Sequence, residues 1–547
     1  MDSQVIDSRL FLKLIRAGVE NLSSHAEEVN DLNVFPIPDG DTGSNMLLTM
    51  QGGLNVSPAE DEGIGALSRR SADGMLFSAR GNSGVILSQF FDGIAAGLEG
   101  KDTASAEDFA KAFIKGVEHA YSAVMEPVEG TILTVMREAS EYAAHRPQED
   151  VTGYLSDFLH QAEETLSDTP NRLPVLKKAG VVDSGGAGLI YILEGAEAFL
   201  SDGSLKEREI SAPSAAGNVI DLDRFDENSE LTYGYCTELL LRLQRAKTDI
   251  SQFDVDVIRD FLKTIGDSIV CFKNGTIVKI HVHTKEPYRV LEFCQRYGEY
   301  LTVKIENMSL QHNNLPTDSK LSEKPERRDY AVVAAASGEG IKQTFRDMGA
   351  DYIVEGGQSM NPSADDFIEA FERVNADAVF VLPNNGNVIL AAKQAAKLYD
   401  GSDVRVIESR SIGDCYAVLS MLDLDSRDTD QIEQEMKEAM QGVVTASVSK
   451  CIRDTEMDGF SLHDGQYIGF VGKEIVSADN DRRDTVCMLA DKLDFTDREI
   501  CIVVRGADSE ETEAEQVAAH IRKAHPGCEV FVIDGGQEIY SYILIIE

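Results

Sequence analysis

The first two hundred residues carry apolar side chains at helical spacing with almost no strand-like alternation, and this limits their fold most. Within residues 5–26, for example, Leu10, Leu14, Val19 and Leu22 recur on one helical face. Similar patterns follow near residues 64–77, 84–98, 105–125, 131–144, 150–167 and 188–200. The spacing therefore predicts an all-α domain over about residues 1–205.

One loop of this helical part combines two carboxylates with a helix start. Asp39 and Asp41 flank a glycine in the run Pro38-Asp39-Gly40-Asp41-Thr42-Gly43-Ser44-Asn45. Glycine permits a sharp turn that aims both carboxylates into one space. Thr42 and Ser44 are good N-cap residues for the helix that follows. Carboxylate oxygens beside a helix N-terminus suit Mg²⁺ together with a polyphosphate, although an Asx-turn ahead of a helix is the simpler alternative.

Three further loops rich in glycine and hydroxyl groups precede helices of the same domain. They are residues 78–84, 128–132 and 182–188. In the first, Asn82 and Ser83 offer hydrogen bonds to a helix cap or to a phosphate. Taken singly, each loop is more typical of an ordinary turn. If the helices form an antiparallel bundle or barrel, however, the loops at one end can converge on a single nucleotide.

Charge and cysteine content narrow the class of protein. The 547 residues contain 51 Lys and Arg against 94 Asp and Glu, a formal net charge of −43. Such acidity argues against nucleic acid or an anionic membrane surface as a partner. We expect no integral membrane segment and no signal peptide. Eight cysteines without a CxxC spacing indicate reduced thiols, so we expect a cytoplasmic protein.

The rest of the chain changes character twice. A small-residue and acidic break follows residue 204, and strand patterns with two helices then predict a small α+β middle domain at about residues 225–312. After a polar linker, strands alternate with helices, which predicts an α/β domain at residues 329–547 with subunits of about 329–435 and 440–547. The loop at residues 356–363 is interpreted as a connector, with an anion-binding loop as the alternative.

Two histidines of the middle domain share a strand face. His281 and His283 are two residues apart, so their side chains are expected on the same side of the sheet. Such a pair can hold zinc, and Cys236 on a neighbouring strand can add a thiolate. From the spacing alone, a histidine pair at a sheet or dimer surface is the favoured alternative.

The motifs DGDTGSNM, RGNSG, EGT and VVDSGGAG, in this order, resemble the nucleotide-binding L-subunit domain of dihydroxyacetone kinases. Over the whole chain, including its three-part layout, the sequence is more similar to the ATP-binding subunit of bacterial fatty acid kinases. The resemblance implies an α-helical barrel that binds ATP and two Mg²⁺ ions through Asp39 and Asp41. Where dihydroxyacetone kinases carry a third aspartate, Val34 stands here, and Asn33 is the nearest oxygen donor.

The resemblance also assigns nucleotide contacts and a zinc site. The phosphate contacts it implies are Thr42, Gly43, Ser44, Asn45, Asn82, Ser83, Gly130 and Thr131. The ribose and adenine contacts it implies are Arg172, Asp183, Ser184 and Gly185. It further implies zinc at Cys236, His281 and His283, and a homodimer with its interface in the middle domain. The last third is similar to lipid-binding DegV-type proteins and is implied to dock a separate fatty-acid-binding carrier.

These expectations combine into one function. We expect an ATP-dependent kinase subunit that phosphorylates the carboxylate of a carrier-bound fatty acid and gives an acyl phosphate. The alternatives are a non-catalytic nucleotide-gated scaffold and a dihydroxyacetone-type kinase subunit. Every candidate phosphate loop lies before residue 190. The last third is therefore expected to be needed for lipid phosphorylation but not for ATP binding.

Overall fold

The chain is divided into two compact units. The computed structural model describes residues 5–32, 37, 40–59, 62–147, 150–202, 235–248, 250, 253, 256–274, 277–307, 327–357, 361–422 and 428–547. One unit consists of residues 1–207 together with 324–547, and the other of residues 208–323. The first unit contains a helical part and an α/β part. This confirms the multidomain fold class that the sequence predicts.

The helical part contains nine helices within its described residues. They are α1 (Ser8–Asp31), α2 (Thr42–Gly52), α3 (Ile64–Ser78), α4 (Gly81–Gly97), α5 (Ala106–Ser122), α6 (Ile132–Ala144), α7 (Val151–Arg172), α8 (Pro174–Ala179) and α9 (Ser184–Asp202). Side chains fix several starts: Asp7 Oδ1 accepts from the Leu10 N–H at 2.7 Å, and Ser105 with Asp108 forms a capping box on α5. Two short strands, β1 (Val5–Ile6) and β2 (Ala104–Ser105), pair antiparallel beside these helices.

One apolar core joins these helices. Buried side chains from α1 to α7 and from α9 form a single cluster. At its centre Phe113, 4% exposed, meets the rings of Phe90, Tyr154 and Phe158 edge-on, with centroids 5.4 Å apart in each pair. Edge-to-face pairs of this kind stabilise a core beyond their buried area. The helix N-termini at one end are thus carried by a well-packed body.

The middle domain is a four-stranded antiparallel sheet with two helices. Its elements are β3 (Tyr235–Leu243), α10 (Asp256–Leu262), β4 (Gly266–Asn274), β5 (Ile277–Thr284), α11 (Pro287–Cys294) and β6 (Gly298–Asn307). The strand order is β4-β5-β3-β6. Apolar side chains of β3 and β5, including Leu241 and Ile280, form its core with α10 and α11.

The α/β part begins with a parallel sheet. Its elements are β7 (Arg328–Ala336), α12 (Glu339–Asp347), β8 (Tyr352–Glu355), α13 (Ala364–Val374), β9 (Ala376–Leu382), α14 (Ile389–Leu398), β10 (Asp403–Val406), α15 (Ile412–Ser420) and α16 (Thr429–Ala439). The strand order is β10-β9-β7-β8, and every pairing is parallel. Buried Ala and Val residues dominate β7, as expected for a strand covered on both faces.

A six-stranded mixed sheet follows after a short 3₁₀ turn (Met440–Gly442). Its elements, with a hairpin of β12 and β13, are β11 (Val444–Lys450), β12 (Thr455–Met457), β13 (Phe460–Leu462), β14 (Tyr467–Val471), β15 (Glu474–Asp479), α17 (Arg482–Lys492), β16 (Ile500–Arg505), α18 (Glu511–Ala524), β17 (Glu529–Asp534) and β18 (Tyr540–Ile546). The order is β15-β14-β11-β18-β16-β17, and only β16 and β17 pair in parallel. The last strand, β18, was not predicted and fills the centre of this sheet.

The two sheets of the α/β part share one core. Val332 and Phe380 of the first sheet belong to the same buried cluster as Ile502 and Ile545 of the second. Helices α12, α15 and α16 add apolar side chains to this cluster. The two predicted subunits are therefore packed as one body. Among the described helices of the whole chain, none is long and apolar enough to cross a membrane.

The α/β part also packs directly on the helical part. Ala79 and Val85 form a small apolar cluster with Ala391 of α14. Beside it, the buried Gln394 donates its amide to the Leu76 carbonyl and accepts from Gln89 Nε2 at 3.2 Å. This interface lies at the start of α4, which is one of the helix N-termini singled out by the sequence.

Candidate functional site

The N-termini of four helices meet at one end of the helical part. At the starts of α2 and α9, Ser184 Oγ donates to Thr42 Oγ1 at 3.3 Å. At the start of α4, Gly81 lies against α2, and a Cβ added there would lie 2.6 Å from Asn45 Nδ2. Asp183 accepts hydrogen bonds from amides at the starts of both α6 and α9. Helix N-termini carry partial positive charge, so their convergence suits a polyanion.

The start of α2 is fixed by a side chain from α1. Asn30 Oδ1 accepts from the N–H groups of Gly43 at 2.8 Å and Ser44 at 3.2 Å, and Asn30 Nδ2 donates to Ser44 Oγ at 3.0 Å. Asn30 thus takes the place of a side-chain N-cap, and Asp41 makes no cap hydrogen bond to its own helix. Two amides that the sequence offers to a phosphate are engaged by Asn30 here. Their contact with nucleotide stays a prediction.

Gly43 is required where α2 crosses α1. A Cβ at this position would lie 2.2 Å from the backbone oxygen of Ala26. Real Cβ atoms do not approach backbone that closely, so only glycine lets the aspartate loop pass this near to α1. The sequence motif therefore has a packing role as well as the predicted nucleotide role.

The Asp41 carboxylate meets a residue of the α/β part. Asn361 Nδ2 donates to Asp41 Oδ2 at 2.5 Å across 320 residues of sequence. Asp39 and Asn33, the other two predicted Mg²⁺ ligands, lie outside the described residues. In the described part of the chain no cluster of three or more His, Cys, Asp or Glu side chains is placed to hold a metal ion. The Mg²⁺ set therefore stays a prediction, with Asp41 as its described member.

Asn82, Ser83 and Thr131 lie in the first turn or cap of their helices. Asn82 Nδ2 donates to Asn387 Oδ1 of the α/β part at 3.3 Å. Thr131 is the N-cap residue of α6, and its hydroxyl donates to the Val128 carbonyl at 2.7 Å. Ser83 is half-buried in the first turn of α4. All three positions are compatible with the predicted phosphate contacts.

Gly130 and Arg172 lie side by side, because a Cβ on Gly130 would be 3.0 Å from Arg172 Cβ. The Arg172 guanidinium is held by Glu138 at 2.5 and 3.0 Å and by Asp168 at 2.8 Å. The hydrogen bonds to Glu138 and then Asp168 raise the pKa of Arg172. Its charge is therefore already compensated by two carboxylates, and the predicted contact with ribose or adenine requires one of them to share it.

Asp183 connects the starts of α6 and α9. Its Oδ2 accepts from the Gly186 N–H at 2.7 Å, and its carboxylate also accepts from the Ile132 N–H. Burial raises the pKa of Asp183 to about 6, although both amide donors act in the opposite direction. Gly185 packs beside it, with space for no more than a hydrogen against Ile132 Cβ. Asp183 thus orders two of the four N-termini.

We expect Asp183→Asn to remove a pH-dependent loss of stability. The folded-state pKa of about 6 lies above the unfolded value near 4, so the contribution of Asp183 is largest at low pH and is lost as pH rises through 6. The advantage of the variant in unfolding free energy should grow by roughly 1 kcal/mol between pH 5 and pH 8. Urea unfolding followed by circular dichroism measures it, because the chain has no tryptophan. A difference that stays constant over this range would contradict the assignment.

The predicted zinc residues are neighbours in strand register. Cys236 of β3 pairs directly with His283 of β5, and Glu238 pairs with His281. Residues paired directly across two antiparallel strands are close neighbours in the sheet. The side chains of Cys236, His281 and His283 lie outside the described part of the structure. The zinc site therefore stays a prediction.

Three contacts were missed by the sequence reasoning. Asn30 belongs to no motif, and Ile37 of the aspartate loop is 2% exposed because it packs into an apolar cluster of the α/β part. Asn361 lies in the loop interpreted as a connector. The only available sign was the unusual composition of that loop, since contacts between distant parts of a chain leave no local pattern.

Comparison with known proteins follows the same three parts. Residues 36–198 match the DAK2 domain, residues 232–315 match the middle domain of the FakA-like fatty acid kinase family, and residues 331–547 match the C-terminal domain of that family. Protein YloV of Bacillus subtilis (strain 168) is 38% identical over 561 residues, covering 100% of both chains. Uncharacterized proteins of Staphylococcus saprophyticus and Staphylococcus aureus (strain USA300) are also 38% identical, covering 99% of each chain.

Two solved structures are similar to part of the chain. DegV, a fatty acid binding protein from Bacillus subtilis, matches 40% of this chain and 99% of its own at 14% identity, with a TM-score of 0.32. The Streptococcus pneumoniae fatty acid kinase (Fak) B3 protein, loaded with linoleic acid, matches 40% of this chain and 98% of its own at 11% identity, with a TM-score of 0.28. Similarity at this level supports no further conclusion.

The DAK2 match falls on the helices whose N-termini gather around the aspartate loop, which places the chain among kinases. Its full-length relatives and the matches to all three parts then define the group more closely. The chain belongs to the FakA-like family of fatty acid kinase proteins.

Proposed function

We propose that this chain is the ATP-binding subunit of a fatty acid kinase and transfers the γ-phosphate of ATP to the carboxylate of a carrier-bound fatty acid. The observation that supports it most is the convergence of four helix N-termini on the aspartate loop, within the part that matches the DAK2 domain. The match of the other two parts to FakA-like fatty acid kinase proteins supports the substrate.

The reaction requires little proton chemistry from the protein. A carboxylate oxygen of the fatty acid forms a bond to the γ-phosphorus, the bond from that phosphorus to the bridging oxygen breaks, and ADP leaves with the electron pair. A carboxylate is already ionised at neutral pH, so no general base is needed. Positioning and charge stabilisation then account for the rate.

The residues of this chain have distinct roles in the proposal. Asp39 and Asp41, with Asn33 as a further oxygen donor, would hold Mg²⁺. Bound Mg²⁺ supplies positive charge that neutralises the phosphates. The residues proposed to contact the phosphates are Thr42, Gly43, Ser44, Asn45, Asn82, Ser83, Gly130 and Thr131, and those proposed to contact ribose and adenine are Arg172, Asp183, Ser184 and Gly185. Carboxylate and amide oxygens are the donors that Mg²⁺ prefers, so this set fits the metal.

The partner is proposed to be a fatty-acid-binding carrier of DegV type that docks on the α/β part. The family is that of one component of a multi-subunit fatty acid kinase, which supports a second component. A long-chain fatty acid is poorly soluble as a free molecule, so a protein has to bring its carboxylate to the helical part. The middle domain is proposed to form a homodimer interface.

Transfer of label from [γ-³²P]ATP tests the proposed function. Three acceptors are compared: oleate loaded on a DegV-type carrier, free oleate, and dihydroxyacetone. The proposal predicts labelled lipid product with the loaded carrier at a rate far above the other two. Transfer to dihydroxyacetone instead would identify the hydroxyl kinase alternative. Nucleotide binding without transfer to any acceptor would identify a nucleotide-gated scaffold.

We expect about one zinc ion per chain, held by Cys236, His281 and His283. The register supports it, because Cys236 is paired directly with His283. Elemental analysis of protein purified without chelator measures the zinc content, and Cys236→Ser should lower it severalfold. Cys294→Ala, which changes a buried cysteine on α11 of the same unit, is the matched control and should leave it unchanged. Protein that contains no zinc would remove the assignment.

A further inference from the structure

The α/β part reaches into the proposed nucleotide site through one side chain. Asn361, 1% exposed, donates its amide to the Asp41 carboxylate at 2.5 Å. Only the NH₂ of an asparagine can donate to a carboxylate, so this contact defines the orientation of the amide. A buried hydrogen bond to a charged acceptor is stronger than one between neutral groups. Asn361 therefore holds the carboxylate in one direction.

Asn361 is itself held by the start of α4. Arg80 Nη1 donates to the Asn361 backbone oxygen at 2.8 Å and lies 3.4 Å from Asp366 Oδ2. The backbone adds a bridge between Arg80 and Ser363, and the Ala364 N–H donates to the Ala79 oxygen at 3.3 Å. The loop of the α/β part thus forms an extension of the turn that begins α4.

Gly81 leaves the space in which this contact is made. Its φ is +59°, a conformation that favours glycine, and a Cβ there would lie 2.6 Å from Asn45 Nδ2 and 3.1 Å from Asn361 Nδ2. Both amides therefore pack against the bare backbone of the RGNSG motif. This gives the glycine of that motif a role in bringing Asn361 to Asp41.

The aspartate loop has a second anchor in the α/β part. The buried side chain of Ile37, four residues before Asp41, packs among Cys451, Met457, Leu462, Ile468, Phe470 and Ile475. On the α1 side of the loop, Arg453 Nη1 donates to the Asp31 oxygen at 3.2 Å. The α/β part therefore contacts the loop at three points: Asp31, Ile37 and Asp41.

The other polar atom of Asn361 also indicates a functional position. Its Oδ1 is buried and has no hydrogen-bond partner among the residues that the structure describes. A buried acceptor of this kind is costly and uncommon in folded proteins. It is an amide oxygen, which is a type of donor that Mg²⁺ accepts, and it lies one amide group from a proposed Mg²⁺ ligand.

We propose that Asn361 is a positioning residue of the Mg²⁺–nucleotide site, which is therefore shared between the helical part and the α/β part. The inference rests on the proposed function. Groups that hydrogen-bond a metal ligand fix its direction and raise metal affinity, and their loss commonly costs about 10- to 100-fold in affinity or activity. The expectation that residues 329–547 are dispensable for ATP binding is replaced by this proposal.

The test is the Mg²⁺ dependence of nucleotide binding by the full-length chain. Binding of the non-hydrolysable ATP analogue AMP-PNP is measured by calorimetry over a range of Mg²⁺ concentrations, for the wild-type chain, Asn361→Ala and Asn361→Leu. Both variants should need about 10- to 100-fold more Mg²⁺ for half-maximal binding and should recover at saturating Mg²⁺. The leucine variant fills the same space without either polar atom, so it should fold even if the alanine variant does not.

A matched control separates the metal role from a general weakening of the interface. Gln89→Ala removes the interdomain hydrogen bond to Gln394, two helical turns from Gly81, and should leave the Mg²⁺ dependence unchanged. Unchanged Mg²⁺ dependence in both Asn361 variants would overturn the inference, and so would tighter binding, which would make the contact an obstruction. If the wild-type chain binds no Mg²⁺–nucleotide at all, the proposed function fails as well, so the two failures are distinguishable.

Discussion

Asp41→Ala should abolish phosphoryl transfer, with a loss of about 10³-fold or more, while the chain remains folded. The charge stabilisation that a bound metal supplies is worth several kcal/mol, and removing a direct ligand should forfeit most of it. The fold should survive because Asp41 does not cap its own helix. The hydrogen bond from Asn361 is lost as well, at a cost of about 1 kcal/mol. Steady-state rates with carrier-bound oleate, together with circular dichroism, measure both effects.

The control for this variant is Glu107→Ala, which also removes one negative charge. Glu107 lies in the first turn of α5 and forms an exposed pair with Lys111. Its loss should leave the rate within about twofold, because exposed ion pairs contribute little. If Asp41→Ala turns over at close to the wild-type rate at saturating Mg²⁺, the aspartate loop has no part in the chemistry.

Gly43→Ala should cause the largest loss of stability among single methyl additions at the site. The new Cβ would lie 2.2 Å from the Ala26 backbone oxygen, so α1 and the start of α2 have to separate by about 1 Å to relieve the contact. Overpacking of this kind costs about 3 kcal/mol. The same displacement moves the aspartate loop, and misplacement by about 1 Å can cost 10²-fold in rate. Thermal unfolding and AMP-PNP affinity measure the two consequences.

Gly442→Ala is the matched methyl addition in open space. A Cβ there would meet no described atom within 4 Å, so the midpoint of unfolding should change by less than a degree or so. If the two glycine variants prove equally stable, α1 and α2 are not held together as the structure shows.

The local part of the site was accessible from the sequence. Glycine, hydroxyl and acidic residues just before apolar helical runs indicated four helix N-termini, and the structure brings residues from all four starts together. The alternation of strands and helices likewise indicated the α/β part. These features depend on neighbours in sequence, so pattern alone can find them.

The long-range part was not accessible from the sequence. Asn361 meets Asp41 across 320 residues, and nothing within the loop at residues 356–363 distinguishes a connector from part of a site. Ile37 would be expected to be exposed in a polar loop between prolines, yet it fills an apolar cluster of the α/β part. Strand β18 likewise became visible only through its pairing with β11 and β16. Each of these depends on how distant segments pack.

The central claim is that the acceptor is a fatty acid carboxylate. Hydroxylamine converts an acyl phosphate into the corresponding hydroxamate, so the chain is incubated with Mg²⁺–ATP, oleate on a DegV-type carrier, and hydroxylamine, and the lipid is analysed by mass spectrometry. The account predicts oleoyl hydroxamate in an amount equal to the ADP released, and none with Asp41→Ala. ADP release from the loaded carrier without any hydroxamate would contradict it.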